Sequence, residues 1–299
     1  MKQLIVTADD FGAAHEVNEA VEIAHQRGIL TAASLMVTAP ALGEAVEIAR
    51  RNPKLGVGLH LVLVEGRPRL PPSQVNLLVD ARGEFRNDMA AAGARMFFVP
   101  QARRQLAAEI EAQFAAFAET GLRLDHVNAH KHFHLHPTIA GLILSIGQRY
   151  GLRAARVPDE PAAPLRAAEP AGDISPAYVT GPWASLLRAR YRAAGLLIPD
   201  QVFGLRWSGA ITEQRLRGIV ENLPKGLSEI YLHPATASGF AGSAPGYRYT
   251  DEFQALISRT VLDAAHSPGV QLGSFADFLD RSGSVNSAAE QRMRGSTHA

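Results

Sequence analysis

Leu4-Ile5-Val6-Thr7-Ala8-Asp9-Asp10-Phe11-Gly12 sets an apolar run of strand length against two acids and a glycine turn. A short continuous apolar run bounded by turn residues suits a buried strand. The chain then alternates. Residues 17–28 carry apolar side chains at helical spacing, with Gly28 placed to end the helix. Residues 33–37 read as a second strand, 41–51 as a helix and 55–61 as a third strand. The order β-α-β-α-β predicts a parallel sheet or a β/α barrel.

Further along, 65–100 reads as an irregular insertion or lid, 103–120 as an amphipathic helix and 125–130 as the end of a strand. Residues 139–150 form the next helix, opened by Pro137, and 154–158 another strand. The proline- and alanine-rich stretch 159–182 reads as a linker or surface loop. Helices are expected at 183–197, 212–222 and 250–266, and strands at 228–234 and 271–275. The expected organisation is a single domain over 1–283, with insertions near 65–100 and 159–210, followed by a polar, disordered tail at 284–299.

Composition narrows the chemistry. Thirty Lys+Arg against 29 Asp+Glu give a net charge of +1, which lacks the basic excess of a nucleic-acid surface. No cysteine is present, so disulfides, thiolate metal sites and a thiol nucleophile are excluded, and any metal rests on histidine and carboxylate. The apolar opening is too short for a signal peptide, and no run approaches the length of a membrane span. A cytoplasmic location is expected. No Gly-x-Gly-x-x-Gly, phosphate-loop or Gly-x-Ser-x-Gly signature is present.

Four polar clusters share one property: each ends an apolar strand candidate. They are Asp9/Asp10, His60, the segment from His126 to His136, and His233. Strand C-termini of parallel α/β folds converge on one face, so these distant residues are expected in one pocket. His126, His130, His132, His134 and His136 crowd one short segment. The last four alternate, and an extended chain would put them on one face. Imidazole is the commonest metal ligand near neutral pH, yet a catalytic metal usually takes only three protein groups. Asp9-Asp10 could serve a cation and a proton acceptor, or merely start the helix that follows.

Together these motifs resemble the YdjC/ChbG carbohydrate deacetylases. The resemblance is carried by Thr7-Ala8-Asp9-Asp10-Phe11-Gly12, Gly58-Leu59-His60, His126-Val127-Asn128-Ala129-His130-Lys131-His132-Phe133-His134 and His233-Pro234-Ala235, and runs from residue 1 to about 280. It implies a distorted β/α barrel of the polysaccharide-deacetylase type. It also implies one divalent metal ion, zinc or magnesium foremost and manganese or cobalt as further options, held by Asp10, His60 and His130. Asp9 matches the position of the general base and His233 that of the general acid. Asn128, His132, Arg156, Trp183 and Trp207 are expected at the substrate. The family usually has Asp where Asn128 stands, and a neutral amide can exchange hydrogen bonds but supplies no charge.

Pro199-Asp200-Gln201-Val202-Phe203-Gly204-Leu205-Arg206-Trp207-Ser208-Gly209 is similar to the hopanoid-biosynthesis-associated branch, HpnK, which implies a hopanoid glycolipid bearing N-acetylglucosamine. Trp183, Leu187 and Tyr191 would share one helical face beside Arg188, Arg190 and Arg192. Such a face suits peripheral contact with the inner side of a membrane, or the protein core or a homodimer interface. A non-catalytic sugar-binding protein and a metal phosphoesterase are the alternative functions.

Overall fold

The computed structural model describes residues 1–170, 172 and 181–279. Its elements run β1 (Lys2–Phe11), α1 (His15–Arg27), β2 (Ala32–Leu35), α2 (Leu42–Arg51), β3 (Gly56–Leu61), α3 (Met89–Phe98), α4 (Pro100–Glu119) and β4 (Val127–Ala129). They continue through α5 (Pro137–Gly147), α6 (Ala162–Ala168), α7 (Gly181–Ala193), β5 (Gln201–Phe203), α8 (Glu213–Glu221), β6 (Gly226–Leu232), α9 (Tyr249–Ile257), α10 (Arg259–Ala265) and β7 (Val270–Leu272). The strands lie in the order β4-β3-β2-β1-β6-β5, all parallel, with β7 joining the start of β1. The path bends round on itself. Between the edge strands β4 and β5 runs the segment 153–159, bonded to β4 through Val127 N to Ala154 O and Arg156 N to Val127 O, and to β5 through Val202 N to Asp159 O. The result is a curled, distorted barrel wrapped by helices.

Period-two alternation builds its interior. Leu4, Val6 and Ala8 of β1 pack outward into the helix-facing core. Ile5 faces the other way and closes the bottom of the barrel with Ala32, Ala154, Leu227, Phe275 and Phe278. One step up, Thr7, Ser34, His126 and Glu229 are buried polar residues bonded to one another in pairs, Thr7 Oγ1 to Glu229 Oε1 at 2.8 Å and Ser34 Oγ to His126 Nε2 at 3.0 Å. Gly58 leaves the room that the His126 ring occupies, since a Cβ there would come within 2.5 Å of it. The interior thus passes from an apolar floor to a polar top at the strand C-termini.

Several expectations give way here. Residues 154–158 make isolated bridges only, and the three-residue β5 had no counterpart in the sequence reading. The stretch 250–266 is two helices, because Ser258 takes extended angles (φ −64°, ψ 135°) between α9 and α10. The segment 65–100 holds α3 and an antiparallel bridge between Val79 and Phe85. The Trp183 face is not laid open to a membrane: Leu187 and Tyr191 are buried, the Tyr191 hydroxyl donates to Ala140 O at 2.9 Å, and the stripe is core. The tail at 284–299 and part of the 159–182 loop lie outside the described residues.

Candidate active site

From Ala8 to Phe11, β1 advances three residues while β2 advances two, from Ala33 to Leu35. The extra residue is a bulge, and Asp10 takes the left-handed conformation there (φ 63°), which Asp tolerates better than most residues. In a flat strand two neighbouring carboxylates would point to opposite faces. The bulge brings both to the top of the barrel.

Asp9 turns inward to a fully buried Arg156, whose Nη1 donates to Oδ2 at 2.5 Å and Nη2 to Oδ1 at 3.0 Å. The same guanidinium reaches Glu229 Oε1 from Nε at 3.0 Å and from Nη2 at 2.7 Å, and lies 4.4 Å from the centre of the Tyr231 ring. Burial alone would raise the Asp9 pKa, but Arg156 and the nearby His60 hold it far below the carboxylate range. Burial likewise opposes the charge on Arg156, yet Asp9 and Glu229 drive its pKa up. This is a cation shared by two acids, each member costly to remove alone.

Asp10 turns to the histidines. Its Oδ1 lies 3.2 Å from His60 Nε2 and 3.3 Å from His130 Nδ1. Asn128 determines which His60 nitrogen carries the proton. Its NH2 donates to Ser34 Oγ at 2.9 Å and to Asp9 Oδ1 at 3.3 Å, and a carboxylate can only accept. The amide oxygen therefore faces His60 Nδ1, which donates to it at 2.6 Å. That leaves a lone pair on His60 Nε2, buried and without a hydrogen-bond donor, turned toward a carboxylate oxygen. Two acceptors so placed repel unless a cation or proton lies between them. Asp10, His60 and His130 each offer one ligand atom, all within 4.8 Å of one another, the one such group among the described residues. One carboxylate and two imidazoles fit a divalent ion of the zinc type.

The histidine segment is not extended. Residues His130–Leu135 form a 3-10 turn in which Lys131 and His132 adopt left-handed angles (φ 52° and 54°). The expected common face of His130, His132, His134 and His136 is therefore broken up. His130 joins Asp10. His132 Nε2 pairs with the Tyr231 hydroxyl at 2.8 Å. His134 is buried, and burial followed by the Arg156 charge pushes its pKa down to about 3. His136 sits beside the Phe97 and Phe133 rings, and His126 stacks on Phe275 in the barrel interior. Left-handed non-glycine residues cost of order 1–2 kcal/mol each and cluster at functional sites.

His233, just past β6, lines the same cavities as the two acids. Its backbone N–H donates to Glu252 Oε2 at 2.5 Å, and Glu252 Oε1 also accepts Ile211 N–H at 2.9 Å. Burial pushes the Glu252 carboxyl up to about 8 and the His233 ring below its ordinary value. Two cavities meet here, sharing Asp9, Asp10, Glu65, His130, His233 and Tyr249 as walls. One, about 690 Å3, is lined further by Val17, Met36, Val62 and Phe240. The other, about 600 Å3, is lined by His132, Ser208, Tyr231 and Tyr247.

Of the residues expected at the substrate, only His132 lines a cavity. Asn128 and Arg156 are wholly buried and offer it no surface. The Trp183 indole donates to Leu135 O at 2.6 Å, and Trp207 is buried with the Arg215 guanidinium 4.8 Å from its ring. Neither tryptophan borders either cavity. Glu229, Tyr231, Glu252, Glu65 and Ser34 were missed. The first two carry a signal: with His233 they form an i, i+2, i+4 series along β6 and its end.

A family model described as YdjC-like protein matches residues 3–267. A carbohydrate deacetylase of Geobacillus stearothermophilus is 30% identical over 92% of this chain and 97% of its own length. One from Brevibacillus brevis is 29% identical over 92% and 99%. A solved Enterococcus faecalis V583 protein named for cellobiose-phosphate cleavage superposes with a TM-score of 0.73 at 26% identity, covering 93% of this chain and 98% of that one.

Proposed function

Since the chain belongs to the YdjC-like protein family and is a carbohydrate deacetylase, we propose that it hydrolyses the N-acetyl group of an amino sugar at the junction of the two cavities. The observation that carries this reading is that Asp9 and His233 line the same two cavities as Asp10 and His130 of the Asp10–His60–His130 cluster.

Asp10, His60 and His130 would hold the divalent ion, with Asn128 fixing the His60 tautomer behind it. A divalent ion bound there polarises the acetyl carbonyl and makes a water molecule more acidic. Asp9, kept ionised by Arg156, accepts the proton of the attacking water. The water oxygen bonds to the acetyl carbon, and the C–N bond then breaks. His233 gives a proton to the departing nitrogen, so the products are acetate and the free amine. Burial disfavours the imidazolium of His233, which makes that cation a stronger acid than free imidazolium and suits it to the task. Arg156 and Asn128 work from beneath, aligning Asp9 and His60 without touching the sugar. The single cluster among the described residues favours one metal over the two of many phosphoesterases.

We take the finer substrate to be a hopanoid glycolipid bearing N-acetylglucosamine. The likeness of 199–209 suggests it, and the cavity bounded by Val17, Met36, Val62 and Phe240 supports it as a seat for an apolar aglycone. No described helix is long and apolar enough to cross a membrane. The test is acetate release from N-acetylglucosaminides with soluble and lipid aglycones. Asp9→Asn and His233→Ala should keep the metal and lose turnover by about a hundredfold or more. Near-normal rates in both would remove these roles, and metal-loaded protein that releases no acetate from any such substrate would favour simple sugar binding.

A further inference from the structure

The elbow between α3 and α4 gathers three of the exposed large apolar side chains among the described residues. Phe97 is 44% exposed, Phe98 75% and Val99 38%. The two rings pack edge to face at 4.9 Å, so they stand as one unit. Val99 is extended (φ −103°, ψ 107°) and Pro100 opens α4, which places the rings at the apex of a helix corner. Phe97 keeps one side on the His136 ring, while Phe98 is left mostly to solvent.

The charge around them is one-sided. From Met89 to Ala108 there are three arginines, 95, 103 and 104, and no acid. The flanking acids are spent: Asp88 caps α3 by accepting Ala91 N–H, and Glu109 is buried against the backbone of Arg69 and Leu70. Arg103 donates to Phe97 O at 2.8 Å, which holds its guanidinium beside the rings. Arg104 is exposed, with no ion pair among the described residues. In a chain of net charge +1 this is a local concentration of positive charge.

We propose that this elbow docks on an anionic bilayer surface, the rings entering the interface and the arginines meeting lipid phosphates. A second copy fits poorly, because a two-fold contact lays the same patch on itself and brings six arginines together. The location also serves the site. Met89, at the far end of α3, lines the cavity of His132 and Tyr231, about 15 Å away along a ten-residue helix. The inference does not rest on the substrate reading, since binding is measured without turnover.

Full-length protein would be sedimented with phosphatidylcholine vesicles, with and without phosphatidylglycerol. Binding is expected only with the anionic lipid, and should fall with added salt. Arg104→Gln should weaken it about fivefold and Phe98→Ser about tenfold. Both should match the parent protein on a soluble N-acetylglucosaminide, which shows that they fold. Leu186→Ser, at a 59% exposed apolar position on α7, should bind as the parent does. The proposal is overturned by absent binding, by equal binding to the neutral vesicles, or by an equal loss in Leu186→Ser. A concentration-dependent dimer abolished by Phe98→Ser would also overturn it, assigning the elbow to a second copy.

Discussion

Replacing Asn128 by Asp restores the residue that the resembled family usually carries, and in this chain it should be damaging in a pH-dependent way. The amide NH2 that donates to Asp9 Oδ1 at 3.3 Å becomes an oxygen. Two like charges 3.3 Å apart repel by roughly 5 kcal/mol at an effective dielectric constant of about 20. Arg156 offsets part of this, and proton uptake offsets more, because the introduced carboxyl, once protonated, again offers a donor to Asp9. We therefore expect a net loss of about 2 kcal/mol at pH 8, the scale of a buried polar group left badly paired. The folded-state pKa of the introduced carboxyl lies above its unfolded value, so the unfolded chain sheds this proton first. Stability is then retained at low pH and lost as pH rises. Asn128→Ala removes the donor without adding charge, so its loss should not vary with pH. The assay is urea unfolding of both variants and the parent at pH 4.5, 6 and 8 with chelator present. An Asn128→Asp protein as stable as the parent at pH 8, or one equally weakened at every pH, would refute the assigned amide orientation and the His60 tautomer that follows from it.

Three more outcomes are expected. Elemental analysis should find one divalent ion per chain in the parent and in Asp9→Asn, and far less in His60→Ala or His130→Ala; loss in Asp9→Asn as well would mean that both acids bind metal. Glu252 holds its proton up to about 8 in the fold, against 4.5 when unfolded, so parent stability should fall as pH rises through that window. Glu252→Gln has no such slope and turns a donor toward one of two backbone N–H groups, so it should be about 1–3 kcal/mol weaker at pH 5, with the gap narrowing by pH 8.5; parallel pH curves would remove this account. Gly58→Ala presses a methyl within 2.5 Å of the His126 ring and should cost about 1–3 kcal/mol in thermal or urea unfolding, while an unchanged midpoint would mean that the interior yields there.

The strands that carry chemistry were legible because each ends an apolar run with a polar residue. Asp9, Asp10, His60, His130 and His233 were read that way, and the structure brings all five to adjoining cavity walls. What stayed hidden depends on tertiary fit. Strand β5 is three residues long, too short for any period, and 154–158 lies against the sheet without a regular ladder. The break at Ser258 carries no proline or glycine, so periodicity runs straight through it. Alternating histidines suggested an extended chain, but two left-handed residues turn it, and no local signal predicts such angles at Lys131 and His132. Arg156 was expected at the substrate, yet it is wholly buried. Its partner Glu229 lies 73 residues away, and only the closed sheet reveals the pair.

The strand order divides the site by time of synthesis. Strands β4, β3, β2 and β1 are neighbours in space and the first four in the chain, so Asp10, His60 and His130 all sit on the part that leaves the ribosome first. Arg156, Glu229 and His233 arrive later, Glu229 on and His233 just past the strand that pairs along the far side of β1. Domains form from their N-terminal side as they emerge, and distant pairings wait for the chain to close. A chain ending near residue 150 would hold Asp10, His60 and His130 but lack Arg156, the guanidinium that pairs with Asp9, and His233. On the proposed metal role, the three ligands would be synthesised before the proton donor, so an ion could be gathered before a substrate could be turned over.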